Sequence, residues 1–266
     1  MFAKLLKKEW RSSRKVIGLL CAIILISGVL IGASAFTMAR WQQVFEGREV
    51  IGAALGILVM LCVVAVGVSC AASIVYVLCR FYQSRFTQEG YLTYTLPVSN
   101  HSLMLSSILM NVLEILLVIV TAGVAVVLSL GIFALALPWS EVNADSWAYL
   151  WRRAGETLGE LGRHSGEIGG VLLFLLLLGL GELITLMLAV TVGGMAAKKH
   201  PILMSVAVYY GIGMLKSIIG GLGLFTSFGS SSAWGYLGSL DCLNLLVIVG
   251  GYFLMYWLTE KKLNLG

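Results

Sequence analysis

The chain has 266 residues, 59% of them hydrophobic and only 12% charged, where a soluble domain carries roughly 25% charged residues. So few charges cannot coat a water-facing surface of this size, which excludes an ordinary soluble protein and makes lipid the expected solvent. The formal net charge of +5 is gathered at the ends of apolar runs, with no basic face interleaved with stacking aromatics, so an anionic lipid leaflet is the expected partner and nucleic acid is not.

At the N-terminus, MFAKLLKKEWRSSRK sets Phe2, Leu5, Leu6 and Trp10 at helical spacing with Lys4, Lys7, Lys8 and Arg11 on the other side. This predicts a short basic amphipathic interface helix over 1–15, lying in the inner headgroup layer; the alternative is a plain topogenic charge cluster. A transmembrane helix needs about 20 mostly apolar residues. Six stretches within 16–266 qualify, at approximately Val16–Met38, Ile51–Leu78, Leu105–Leu137, Gly170–Ala197, Ile202–Phe225 and Gly238–Leu258. The first is followed through Ala33-Ser34-Ala35 to Met38, longer than the ~7–15 residues of a cleavable signal core, and reads as a retained span.

Lys and Arg set the orientation. With the N-terminus inside, the cytoplasmic pieces hold Lys4, Lys7, Lys8, Arg11, Arg14, Lys15, Arg80, Arg85, Lys198, Lys199, Lys261 and Lys262, and the outer pieces hold Arg40, Arg48, Arg152, Arg153 and Arg163. Twelve against five favours both termini in the cytoplasm. The expected fold is therefore all-α, an integral membrane protein of six transmembrane helices, N-in and C-in.

Between the third and fourth spans lies an outer segment, 139–169. In it Trp147, Leu150, Trp151, Ala154, Leu158 and Leu161 recur at three and four, with Arg152, Arg153, Glu156, Glu160 and Arg163 between them. An amphipathic helix on the outer face is expected, sealing the bundle or acting as a lid. The uncharged stretch SFGSSSAWGY joins the last two spans, as either a tight loop or a re-entrant element.

Four ionisable residues fall within spans: Glu114, Glu182, Lys216 and Asp241. A charge at mid-bilayer costs at least ~2.5–3.5 kcal/mol, so such residues face one another or a wet cavity. Lys216 is expected to pair with Glu182, Glu114 or both, either locking the bundle or lining a transport path. Gly28 with Gly32, and Gly52 with Gly56, have GxxxG spacing, a weak pointer to a dimer.

Chemistry of its own is not expected of this chain. It has no GxxxxGK[ST] phosphate loop; His101, His164 and His200 are scattered over three loops; and Ser230 to Ser232 have no activating base nearby. The five cysteines, Cys21, Cys62, Cys70, Cys79 and Cys242, sit in or beside apolar runs without a CxxC and read as small buried hydrophobes. No catalytic, cofactor or metal site is expected.

The cytoplasmic segment 80–102, RFYQSRFTQEGYLTYTLPVSNHS, differs from the other connections. Tyr91, Leu92, Tyr94 and Leu96 are apolar or aromatic although they lie beyond the membrane, between Gly90 and Pro97. Exposed apolar groups between polar ends fit a surface that meets another protein, the alternative being a loop folded back on its own spans. The phrase at Glu89, Gly90, Tyr91, Leu92, Thr93, Tyr94, Thr95, Leu96 and Pro97 resembles the E-G-Y-L-T-[FY]-T-L-P phrase of bacterial ABC-2-type exporter permeases. The short basic N-terminal helix, the six spans and the lysine-rich tail EKKLNLG agree with it.

The resemblance implies a coupling helix at Glu89 to Leu96, seated in a cleft of a separate ABC ATPase subunit that binds ATP and Mg. It also implies a second permease copy or a homologous permease, and a place in the bacterial plasma membrane. Peptides, lipids and drug-like molecules are all open as cargo. The rival reading is an ion-coupled carrier or channel built on Glu114, Glu182 and Lys216. A membrane scaffold or sensor is a third, and the chain has no soluble stretch long enough to signal.

Overall fold

A computed structural model describes residues 2–41, 49–86, 99–136, 144–196, 200–227 and 233–262. Seven helices occupy them, with no strand among the described residues: α1 Phe2–Trp41, α2 Glu49–Phe86, α3 Asn100–Ala134, α4 Ala144–Arg163, α5 Ser165–Ala196, α6 Pro201–Ser227 and α7 Ala233–Lys262. Six of them, all but α4, are long and apolar enough to cross a membrane. In lipid every backbone amide and carbonyl must be satisfied inside the segment, which only a continuous helix does for a lone span. Many large apolar side chains stand in the open, such as Val50 at 81% and Leu246 at 74% exposure, as expected of surfaces that meet acyl chains rather than water.

The helices run past the apolar stretches. α1 begins at Phe2 and continues unbroken through the first span to Trp41, so residues 2–15 are its opening turns rather than a separate element. α5 starts at Ser165, five residues before the apolar run. Only His164 separates it from the amphipathic α4, and the His164 carbonyl accepts the Ile168 amide at 2.9 Å. α6 reaches Ser227 and α7 resumes at Ala233. Residues 228–232, on which the choice between a tight loop and a re-entrant element falls, lie outside the described residues.

The chain forms two compact units: an N-terminal one, Ala3–Val77 with Leu109–Glu156, and a C-terminal one, Leu78–Ile108 with Thr157–Gly266 and Met1–Phe2. In the N-terminal unit Ile17, Cys21 and Ile24 of α1 and Val118 and Ala125 of α3 form the core, with Val66, Cys70 and Tyr76 of α2 packed against it. A Cβ on Gly28 would lie 2.7 Å from the Ala125 Cβ and 2.8 Å from its carbonyl oxygen, and one on Gly32 2.9 Å from the Ser129 Cα. The GxxxG spacing of Gly28 and Gly32 thus serves a close α1–α3 approach within the chain, not a dimer contact. Gly52 has nothing within 4 Å of a Cβ position, and Gly56 meets only the Met38 terminal methyl at 4.0 Å.

In the C-terminal unit α5, α6 and α7 pack together, with Leu183, Ile184, Met187, Leu188 and Ala189 of α5 buried. A Cβ on Gly193 would run into the Ser205 backbone nitrogen at 2.6 Å, so α5 and α6 cross at near backbone contact beside their short connection. The hydroxyls of Ser34, Ser69, Thr185, Thr191 and Thr259 each bond a carbonyl four residues back. These local bonds satisfy the group within its own helix.

Candidate functional site

Two sets of side chains stand out, both in the C-terminal unit. The first flanks the segment 80–102. Glu89, Gly90, Tyr91, Leu92, Thr93, Tyr94, Thr95, Leu96 and Pro97 themselves lie outside the described residues, but both ends of 80–102 are described. On the leading side, at the end of α2, Arg85 is 5% exposed and donates to the Ser107 hydroxyl at 3.2 Å, with its guanidinium over the Phe81 ring. Tyr82 stacks on Phe86, and Gly194 of α5 fits beneath both rings; a Cβ there would come within 3.1–3.3 Å of them.

On the trailing side Ser99 opens α3. Its carbonyl accepts the Leu103 amide at 3.2 Å and its hydroxyl oxygen accepts the Ser102 amide at 3.4 Å, a serine N-cap. Two residues on, His101 Nδ1 shares a 2.8 Å hydrogen bond with the Tyr252 hydroxyl, and its ring stacks on Tyr256 at 3.9 Å with 16° between planes. The sequence places His101 in a loop without a partner; the structure sets it in the first turn of α3 and latches it to α7. The only trace of this in the sequence is that Tyr252 and Tyr256, four apart, share one face of a helix.

The second set lies within the spans. Lys216 Nζ donates to Glu182 Oε1 at 2.5 Å, and the Tyr209 hydroxyl donates to Glu182 Oε2 at 3.3 Å. Tyr209 and Lys216 are seven residues apart on α6, two turns along one face, so both reach the same carboxylate. The ammonium is more enclosed than its partner: the side chains are 15% and 41% exposed for Lys216 and Glu182. Of the two expected partners, Glu182 is the one the structure pairs with Lys216.

Glu114 belongs to the N-terminal unit, where it is fully enclosed on the α3 face that also buries Asn111 and Val118. Asp241, on α7, has a buried Oδ1 with no hydrogen-bond partner among the described residues.

At the start of α1, Leu5 and Leu6 are half-buried and Trp10 is 41% exposed, while Lys4, Lys7, Lys8 and Arg11 line a shallow cavity on the opposite side. Phe2 begins the helix. α4 carries Trp151, Arg152, Arg153, Glu156 and Glu160 exposed, and His164 holds Glu167 at 3.1 Å where α4 gives way to α5. Among the described residues no three His, Cys, Asp or Glu side chains gather as a metal site would require.

No protein-family model, curated protein or solved structure matches this chain.

Proposed function

We propose that this chain is the membrane-spanning subunit of an ATP-driven ABC-type exporter, set in a bacterial plasma membrane with both termini in the cytoplasm. It moves its cargo with the energy of a separate ATPase that binds ATP and Mg. The reading is carried by the way the segment 80–102 is mounted. On either side of Glu89 to Pro97 the described residues are tied to other helices, Arg85 to Ser107 and His101 to Tyr252. Ties to the helices on both sides are what a docking surface needs if a push on it is to reach the spans instead of being absorbed locally.

The N-terminal basic turns lie against the inner leaflet and the partner. Two permease subunits, identical or related, complete the assembly. ATP binding must favour one state of the helices over the other, since a ligand shifts an equilibrium only by its differential affinity.

Mild-detergent purification from native membranes after in-membrane cross-linking, with mass spectrometry of co-purifying chains, tests this. A near-stoichiometric partner carrying a phosphate loop is expected. Self-association alone would overturn the reading. Replacing Glu89 and Tyr91 together is expected to leave the chain inserted and to release the ATPase.

One observation favours a second reading. The Lys216–Glu182–Tyr209 cluster is a protonatable group on a hydrogen-bonded chain inside the spans, as an ion-coupled carrier would use. Transport in proteoliposomes driven by a pH gradient, with no ATPase present, would establish that reading in place of the first.

A further inference from the structure

Lys216 also forms part of a groove. α5, α6 and α7 enclose a cleft of about 590 Å³ in the C-terminal unit, a volume in the range of small-molecule sites. Its walls are almost wholly apolar, and among the described residues Lys216 is the one charged group lining it. The other polar groups offer little. Thr185 spends its hydroxyl on the Gly181 carbonyl at 2.7 Å. Glu182 does not line the cleft. An ammonium has three donors, and among the described residues Lys216 commits one, to Glu182.

The cleft is long rather than round. Along α7 it runs from Ser239 to Leu254. Gly220 of α6 sits against Leu240, and Gly181 of α5 against Asn244. Lys216, one turn before Gly220, is therefore level with about Asn244. From there to Leu254 the wall of α7 is Leu246, Val247, Gly250, Gly251 and Leu254. At 1.5 Å per residue this arm is about 15 Å long, close to the depth of one leaflet in a hydrocarbon core of about 30 Å. Gly250 has nothing within 4 Å of a Cβ position; its missing side chain is part of the room in the cleft.

We propose that this groove binds a single-chain, monoanionic amphiphile of the fatty-acid class. Its carboxylate sits on the two uncommitted N–H donors of Lys216 and its chain lies along α7 toward Leu254. The charge at the wall selects an anionic head over a neutral or cationic one, because a charge-assisted bond in a dry site is stronger than a neutral one. The Glu182 carboxylate beside the ammonium repels a dianionic head and tolerates a monoanion. As the cargo of the exporter proposed above, this amphiphile rests on that reading; as a binding site it stands on the groove alone.

The full chain in nanodiscs of zwitterionic lipid, without any ATPase, tests it. Displacement of bound cis-parinaric acid is followed by fluorescence, with oleate, oleyl alcohol and oleylamine as competitors. Oleate is expected to compete about tenfold better than the alcohol, the size of one net charge-assisted hydrogen bond, and better than the amine. Lys216→Met is expected to erase the preference for oleate over the alcohol. Gly250→Leu is expected to weaken acid and alcohol together by filling the arm, and Glu182→Gln to strengthen oleate by releasing Lys216.

If Lys216→Met does not accumulate, the double variant Glu182→Gln with Lys216→Met removes the pair without stranding a charge and must show the same loss. Absence of saturable binding, equal competition by acid and alcohol, a preference that survives loss of Lys216, or binding indifferent to Gly250→Leu would each overturn the site. A negative titration beside a co-purifying ATPase sinks this site and leaves the exporter standing. A positive titration with no ATPase partner does the reverse.

Discussion

Both units cross helices at backbone contact, α1 on α3 at Gly28 and α5 on α6 at Gly193, and they differ in what surrounds the crossing. The N-terminal unit brings α1 onto α3 through Gly28 and Gly32, backbone against backbone, around an apolar core, and its buried acid, Glu114, is fully enclosed. In the C-terminal unit polar contacts join the helices: Lys216 on Glu182 between α6 and α5, and His101 on Tyr252 between α3 and α7. Its acid is 41% exposed and its cleft is open. Apolar burial supplies little drive between helices in lipid, so close contact and hydrogen bonds must hold them together. The comparison teaches that close helix crossings do not decide how accessible a charge is: one unit encloses its acid in the packing, whereas the other leaves a charged pair beside an open cleft.

The largest effect should come from breaking the backbone contact. Gly28→Leu must displace the Ala125 carbonyl, not a flexible side chain. Overpacking of this kind costs about 3 kcal/mol, and a melting scan of the purified chain should fall by roughly 6–12 °C. Gly52→Leu is the control: with open space around it, the scan should stay within about 2 °C, and a comparable fall would mean that this face too is packed.

Next is Lys216→Met, which leaves Glu182 charged within a span at a cost of about 2.5–3.5 kcal/mol. In the double-mutant cycle with Glu182→Gln the coupling should be about 1–2 kcal/mol, and zero coupling would show that the pair does not hold α5 to α6. His101→Ala removes one hydrogen bond and one aromatic stack, worth about 1–2 kcal/mol together. Amide exchange should rise at the end of α7 and leave the α1–α3 contact unchanged. The smallest change is Ser99→Ala, which removes a helix cap worth about 1 kcal/mol. Its effect should be confined to the first turn of α3 in the same exchange experiment.

What could be read in advance follows from which forces are local. The six spans were legible because lipid imposes one requirement, about 20 apolar residues in a satisfied helix, and each stretch met it alone. The Lys216–Glu182 pair was legible because a charge there is expensive and partners are few. Helix ends were not. Lys4–Lys15 were legible as a helix but not as the opening turns of the first span, and Ser165–Gly169 carry little apolar signal, yet each continues a helix whose nucleation cost is already met by the span beside it.

Gly28 and Gly32 were legible as a packing motif and misread as to partner, since spacing says that something approaches closely but not what. The His101 contact was out of reach, its partner 151 residues away with no pattern joining the two. Glu89 to Pro97, which carry the resemblance, lie outside the described residues.

The close crossing at Gly193 bears on how the chain is made. α5 and α6 meet there at backbone distance beside a connection of four residues, 197–200, so they are disposed to leave the insertion machinery as a single helical hairpin. Glu182 and Lys216 face each other within that hairpin. Each charge then enters the bilayer already neutralised by the other, and two segments that would each be penalised alone become one that partitions readily.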